Sequence, residues 1–396
     1  MKLLWVKTDF LHPTNRGGQV RSLKMLEVLH RRHEVHYLTY HDPDNSEGPA
    51  RAGEYCRRAW PVTRRIPHRR SLEFGLQLIG NLVSPLPLVI TRYRSEAMAC
   101  EYARLCAAEH YDCVVCDFLF PAPNLEPLEQ CIIFQHNVES LIWRRYVEQA
   151  RDPLRRAYLR VQYQRLWNYE RDACRRAAHV VAVSETDAAI FSREFGITRV
   201  SAIPTGVDID YYTPPKPSPS EHDLAFVGSM DWLPNIDGVN WFLDEVLPLI
   251  HRKRPQTSVI VIGRNPAASL RDRAKADSRI RVTGTVDDVR PHLWNAAISI
   301  VPLRVGSGTR LKIYEAMAAR RPVISTSIGV EGLTCDDGTI RIADAAESFA
   351  SECLALLDDR AGRETVAANA WNMVNARCSW DHVARQFETI LEGVAR

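Results

Sequence analysis

Short dense apolar runs separated by polar loops and helical patterns recur along the chain, and they predict two successive doubly wound α/β halves. In the first half, Lys2 to Val6 is a short apolar run followed by a polar loop. Gly17 and Gly18 then precede a helical pattern through Leu23, Leu26 and Leu29. Val35 to Thr39 reads as the next strand. The later runs CVVCDFLF, CIIFQHN and HVVAVS carry no polar alternation, as expected of strands buried on both faces of a parallel sheet. Around Pro204 the pattern changes: Pro214, Pro215, Pro217 and Pro219 cannot continue a helix or a central strand, and 206–222 reads as a linker. A second alternation follows through DLAFVGS, SVIVIGR, IRVTGTV, ISIVPL and RPVIST. The expected organisation is a domain over 1–205, the linker, a domain over 223–378, and a final helix over about 379–396 with Trp380, Val383, Phe387, Ile390 and Leu391 at helical spacing.

Length agrees with two domains, since 396 residues exceed what one core usually supports. With 45% hydrophobic and 25% charged residues the composition is that of a folded globular protein. No apolar run is long enough to cross a bilayer, and the start reads as a strand, so the expected location is cytoplasmic. The ten cysteines show no repeating spacing, and Cys113 and Cys116 lie inside a strand pattern, where a buried reduced thiol is the expected state. Charge is uneven: 29 basic against 23 acidic residues up to position 205, and 22 against 25 beyond it. Arginines concentrate from Arg51 to Arg70 and from Arg151 to Arg176. Such a surface suits anionic lipid headgroups or a pyrophosphate-linked acceptor, with a solvated helix face as the alternative.

The densest chemistry lies in VPLRVGSGTRLKIYEAMAARRPVISTSIGVEGL, from Val301 to Leu333. Pro302 ends a strand, Gly306 and Gly308 permit a tight turn, and Thr309 to Ala319 favours helix. A helix starting near Gly308 would aim free backbone N–H groups at an anion. Arg310 and Lys312 add positive charge, and Glu315 shares a helical face with Gly308 and Lys312, where a carboxylate suits two ribose hydroxyls. Gly263 and Gly284 also end strands, as sheet-edge turns or as ligand contacts. Asp231, Trp232 and Asn235 follow Gly228 at the edge of the second sheet. In the first half Gly17 and Gly18 close the first strand-to-helix loop, and His136 and Asn137 follow CIIFQ, both at the carboxyl edge where open α/β sheets bind ligands. Asp117 and Glu185 are weaker candidates.

These runs, with GTVDDVRPHLWNA and FVGSMDWLPN, resemble the donor-binding domain of glycosyltransferase family 4, retaining enzymes of the GT-B fold. The resemblance implies two Rossmann-like domains whose parallel sheets face a deep interdomain cleft, and a final helix that packs back on the first domain. By the same resemblance Glu315 holds the nucleotide ribose, the amides from Gly308 through Thr309 to Leu311 hold the phosphates, and the main chain near Val286 faces the base. The loop at Gly17 and Gly18 approaches the phosphates, and His136 lies beside donor sugar and acceptor, with Asn137 and Glu139 on the acceptor side. Two departures stand out. Ser307 occupies the place of the family's first paired glutamate, and Ser229 and Asn235 stand near the places of its diphosphate-binding arginine and lysine. Arg310 and Lys312 are the expected replacements, which makes them, with His136, the candidates for catalysis.

The expected function is retaining hexosyl transfer from a UDP- or GDP-sugar to an unidentified glycan, lipid-linked or small-molecule acceptor, in exopolysaccharide or cell-envelope assembly. Peripheral contact with the inner face of a membrane fits the basic first domain, and no nucleic-acid partner is expected. Neither a cofactor nor a metal is expected, because no clustered histidine ligands occur and helix termini and basic side chains can supply the charge. A nucleotide-sugar epimerase of the same architecture and a catalytically silent binding protein are the alternatives.

Overall fold

The computed structural model describes the whole chain except 15–16, 66–70, 82, 151, 216–221, 306–309, 334, 337, 396 and the side chain of Gln149. It divides into two compact units, Met1–Ile203 with Val383–Arg396, and Pro204–His382.

The first unit is built on seven strands: β1 (Lys2–Lys7), β2 (Glu34–His41), β3 (Arg58–Thr63), β4 (Cys113–Asp117), β5 (Cys131–Phe134), β6 (His179–Ala182) and β7 (Val200–Ala202). All pair in parallel in the order β3-β2-β1-β4-β5-β6-β7. Every residue of β4 and β5 is buried, the consequence of helices on both faces of a parallel sheet. The strand expected over CVVCDFLF stops at Asp117, because Phe118 takes a left-handed backbone (φ 72°) that strand geometry excludes. Strand β3 runs through the arginine-rich stretch that composition alone marked as surface, and three of its six residues are exposed and only one is buried, as expected of an edge position. The helix Trp380–Val394 returns to this unit: Phe387 packs on Trp5 and Phe134 with ring centroids 5.6 and 5.3 Å apart, and Glu388 bridges Arg32 and His33.

In the second unit β8 (His222–Val227), β9 (Val259–Ile262), β10 (Ile280–Val282), β11 (Ala296–Val301), β12 (Val323–Ser325) and β13 (Arg341–Ile342) form a parallel sheet ordered β10-β9-β8-β11-β12-β13. The stretch before 216 belongs to this unit. Val207 donates its N–H to Cys378 and bridges Ser379, the short helix Ile209–Tyr212 follows, and Val207 and Ile209 are buried with Ala370, Met373 and Val374. All ten cysteines are free thiols, and burial raises the Cys113 pKa to about 11.

In each sheet the strand order reverses once, between β1 and β4 and between β8 and β11. Such switch points leave a crevice beyond the carboxyl ends of the strands.

Candidate functional site

At the first switch point the side chains converge on Asp117, the last residue of β4. Trp5 and Lys7 are two apart on β1 and so share a face. Trp5 Nε1 and Lys7 Nζ each donate to the Asp117 carboxylate at 2.8 Å, and Ser22, from the helix Gly17–Leu29, donates its hydroxyl at 2.5 Å. His136 Nε2 lies 2.8 Å from the same carboxylate. Burial alone would raise the Asp117 pKa, but Lys7 and His136 outweigh it and hold the carboxyl well below its ordinary range. Burial likewise pushes the His136 imidazole down to about 3 against the pull of Asp117, so this histidine is neutral at pH 7.

The ring of Phe118 stacks on His136 with centroids 4.0 Å apart, and Lys7 Nζ sits 4.6 Å from the same ring. The loop glycines are unequal. A Cβ on Gly18 would lie 3.0 Å from Phe118 and 3.5 Å from His136 Nδ1, whereas one on Gly17 would meet nothing. Gly18 is therefore fitted against the histidine and Gly17 is not. Among the described residues the buried His136 Nδ1 has no hydrogen-bond partner, and it is the ring nitrogen nearer Gly18.

Beyond His136 the helix Glu139–Gln149 begins. Glu170, buried on the long helix Pro153–Arg176, accepts the backbone N–H of Glu139 at 2.8 Å and of Ser140 at 2.9 Å, so it caps this helix from outside. Glu139 lies buried beside it, with Asn137 Nδ2 at 3.5 Å. Burial and then the Glu170 charge raise the Glu139 pKa to about 8. Glu185 opens the exposed first turn of the helix Glu185–Arg193 and joins no part of this cluster.

At the second switch point Gly228 directly follows β8 and Gly263 directly follows β9. A Cβ on Gly263 would fall 1.9 Å from the Gly228 carbonyl oxygen, so the two strand ends meet at a distance only glycine permits. Over Gly228 lies Lys312. Its Nζ would sit 2.7 Å from a Gly228 Cβ, donates to Asn235 Oδ1 at 2.8 Å, and stands 4.4 Å from the Phe226 ring. Desolvation by this packing lowers the Lys312 pKa to about 7, with Glu315 opposing and Arg310 assisting. Asn235 is itself held by donating to the Ser229 carbonyl at 2.8 Å.

The helix carrying Lys312 is Leu311–Ala318, which starts later than the sequence pattern suggests. Its cap residue, Arg310, makes no side-chain capping bond and instead places its guanidinium 5.5 Å from the Trp232 ring. Glu315, one turn on from Lys312, is hydrogen-bonded to the Tyr212 hydroxyl, and burial raises its pKa against that bond. Ser307, Gly308 and Thr309 lie outside the described residues. Arg264, directly after Gly263, donates to Ser229 Oγ at 2.8 Å and pairs with Asp231 at 3.5 Å. Gly284 (φ 72°) turns the chain after β10, and Val286 packs on the cluster of Ala225, Ile260 and Ile262.

The structure thus joins Gly18 with His136, Asn137 with Glu139, and Gly228, Gly263, Asn235 and Lys312 with one another. Sequence reasoning missed Trp5, Lys7, Ser22, Glu170, Tyr212 and Arg264. Lys7 alone carried a signal, a lysine directly after the apolar run Leu3 to Val6; the others depend on contacts between distant segments. Among the described residues no three His, Cys, Asp or Glu side chains are grouped to hold a metal ion.

Two parallel-sheet Rossmann-like units, each with a polar cluster beyond its switch point, define the GT-B class of fold. Residues 16–211 match the model described as Glycosyltransferase Family 4, and residues 221–359 match that described as Glycosyl transferases group 1. The chain belongs to glycosyltransferase family 4, and its general activity is nucleotide-sugar-dependent glycosyl transfer. Among curated proteins it is 22% identical over 386 residues to an uncharacterized 44.6 kDa protein in the cps region of Klebsiella pneumoniae, covering 94% of this chain and 95% of that one. Among solved structures it is similar to Anabaena Alr3699/HepE in complex with UDP, with a TM-score of 0.67, 14% identity and coverage of 99% and 100%. WaaG, a glycosyltransferase involved in lipopolysaccharide biosynthesis, gives 0.61, 14%, and 98% and 99%.

Proposed function

We propose that this chain is a retaining hexosyltransferase that takes a sugar from a UDP- or GDP-sugar, without a metal, onto a glycan or lipid-linked acceptor in exopolysaccharide or cell-envelope assembly. The observation that carries the donor reading is Lys312, whose Nζ lies over Gly228 at the end of β8 and donates to the Asn235 amide oxygen. A diphosphate there would complete its neutralisation, and Arg310 at the start of the same helix would add a second cation. Leaving-group charge grows as the glycosidic bond breaks, so cations fixed beforehand lower that barrier most. Glu315 is the proposed ribose ligand, exchanging its bond to Tyr212 for ribose hydroxyls. His136, neutral and with Nδ1 available, is the proposed contact to sugar or acceptor. The cps-region relative and the glycosyltransferase involved in lipopolysaccharide biosynthesis support an envelope acceptor, and the basic first unit supports action at the inner face of a membrane.

Calorimetric titration with UDP and GDP tests the donor reading. Because the Lys312 pKa is about 7 in the unliganded protein and an anion favours the charged form, binding at pH 8 is expected to take up close to one proton. Titrations in buffers of different ionisation enthalpy read this directly. Lys312→Met is expected to abolish the uptake and weaken binding at least about tenfold, the effect of losing one charged contact. Intact protein that binds neither nucleotide, or binds without proton uptake, refutes the assignment.

A further inference from the structure

The helix Leu72–Asn81 lies on the surface of the first unit with its apolar side outward. Leu72, Leu76 and Ile79 follow at spacings of four and three, which places them on one face of the helix, and Val83 lies just beyond its end. They are 91%, 71%, 65% and 91% exposed. An amphipathic helix of a soluble domain ordinarily turns that stripe toward the core. Here the attachment is polar instead. Asn81, the one buried residue of the helix, donates to the Leu86 carbonyl at 2.9 Å and accepts from Gln162 at 2.8 Å, while Arg165 donates to the Asn81 carbonyl at 2.8 Å. The helix is held by its end, and the apolar face is left out.

The charge around it is one-sided. From position 64 to 94 the chain has six arginines and a single acid, Glu73. Arg92 stands 5.2 Å from the ring of Phe74 on this helix, and the Arg64 guanidinium donates to the backbone carbonyls of Arg92 and Arg94. Arg65 pairs with the exposed Asp44 at 3.1 Å.

We propose that Leu72, Leu76, Ile79 and Val83 dock this protein on an anionic lipid bilayer, entering the interface while the arginines meet the headgroups. Ten residues rise about 15 Å, half the hydrocarbon thickness, so the helix lies in the interface plane rather than spanning it. A second copy of the chain is a poorer occupant. A two-fold contact would set the same arginine cluster against itself, and like charges repel where a lipid phosphate would attract.

The test is sedimentation of the full chain with vesicles of phosphatidylcholine alone or mixed with phosphatidylglycerol, and it needs no turnover, so its outcome is independent of the transfer reading. The wild type is expected to partition onto the mixed vesicles and less onto neutral ones, and to weaken but persist when salt rises from about 0.1 to 0.5 M as headgroup attraction is screened. Leu76→Glu/Ile79→Glu, at exposed positions, is expected to keep its melting temperature and lose at least about tenfold in partitioning, since apolar burial is removed. Leu76→Trp is expected to be quenched by lipids brominated on the acyl chain. Wild type that stays in solution with mixed vesicles, or a double variant that partitions as the wild type does, overturns the proposal. So does a wild-type dimer that the double variant dissolves, because the face then belongs to a second copy.

Discussion

At the scale of single residues, the half-buried Lys312 and the buried Glu139 have their protonation set by what surrounds them, and they respond to pH in opposite senses. Lys312 loses affinity for its proton because packing strips its water, so the unfolded chain binds more protons there between about pH 7 and the ordinary lysine value. Stability from this group is lost as pH falls through that window, until an anion restores the charge. Glu139 is the reverse. Burial raises the Glu170 pKa too, to about 7, but its oxygens accept two backbone N–H groups that oppose the rise, so of the neighbouring pair Glu139 holds its proton more tightly. With its pKa raised to about 8, Glu139 makes the folded state bind the extra proton, and stability falls as pH rises from the ordinary carboxylate range through 8. Glu139→Gln mimics the protonated form. It is expected to match the wild type within about 1 kcal/mol at pH 5 and to exceed it by about 1–3 kcal/mol at pH 9, in urea unfolding followed by fluorescence. A variant less stable than the wild type at pH 9 would show that Glu139 is charged in the folded protein.

Between elements, Asp117 acts as the joint of the first unit. It receives β1 through Trp5 and Lys7, the first helix through Ser22, and the turn after β5 through His136. Replacing it by asparagine leaves the Lys7 ammonium fully buried without its counter-charge. Asp117→Asn is expected to cost about 3–5 kcal/mol, and adding Lys7→Met to recover a large part of it, by denaturant unfolding of each variant. Equal costs for the single and double variants would mean that the ion pair contributes nothing of its own. This joint also marks where sequence reading runs out. The strands β1, β2, β4, β5, β6, β8, β9, β11 and β12 were legible because strands buried on both faces leave uninterrupted apolar runs, and β10 was legible in IRVTGTV. Edge strands β3 and β13 were not, since a half-exposed strand such as RAWPVT has no such run. Gly228, Gly263 and Lys312 could be placed at strand ends and a helix start from local pattern alone. That Asn235 holds Lys312, that Tyr212 holds Glu315, and that Glu170 caps the helix after His136 depend on side chains brought together from segments 30 to 100 residues apart, and no local spacing encodes them.

Over the whole molecule, the chain order does not follow the compact units, because its last fourteen residues return to the unit it began with. The bond between Arg32 and Glu388 joins positions 356 apart, and Phe387 fills the space between Trp5 and Phe134 while being fully buried. Completion of the first sheet's core therefore waits for the end of the chain. This closure entropy rises only slowly with length, so the late contact is affordable in equilibrium terms even across so long a loop. Truncating Phe387 isolates its contribution. Phe387→Ala is expected to destabilise the first unit by about 3–5 kcal/mol, the range for a buried aromatic replaced by alanine. Two compact units need not unfold together, so a single melting temperature is the wrong readout and amide hydrogen exchange is the right one. Protection in β1, β4 and β5 should fall while that in β8, β9 and β11 stays as in the wild type. Equal loss in both sheets would mean that the units unfold as one body and that the final helix stabilises the molecule as a whole.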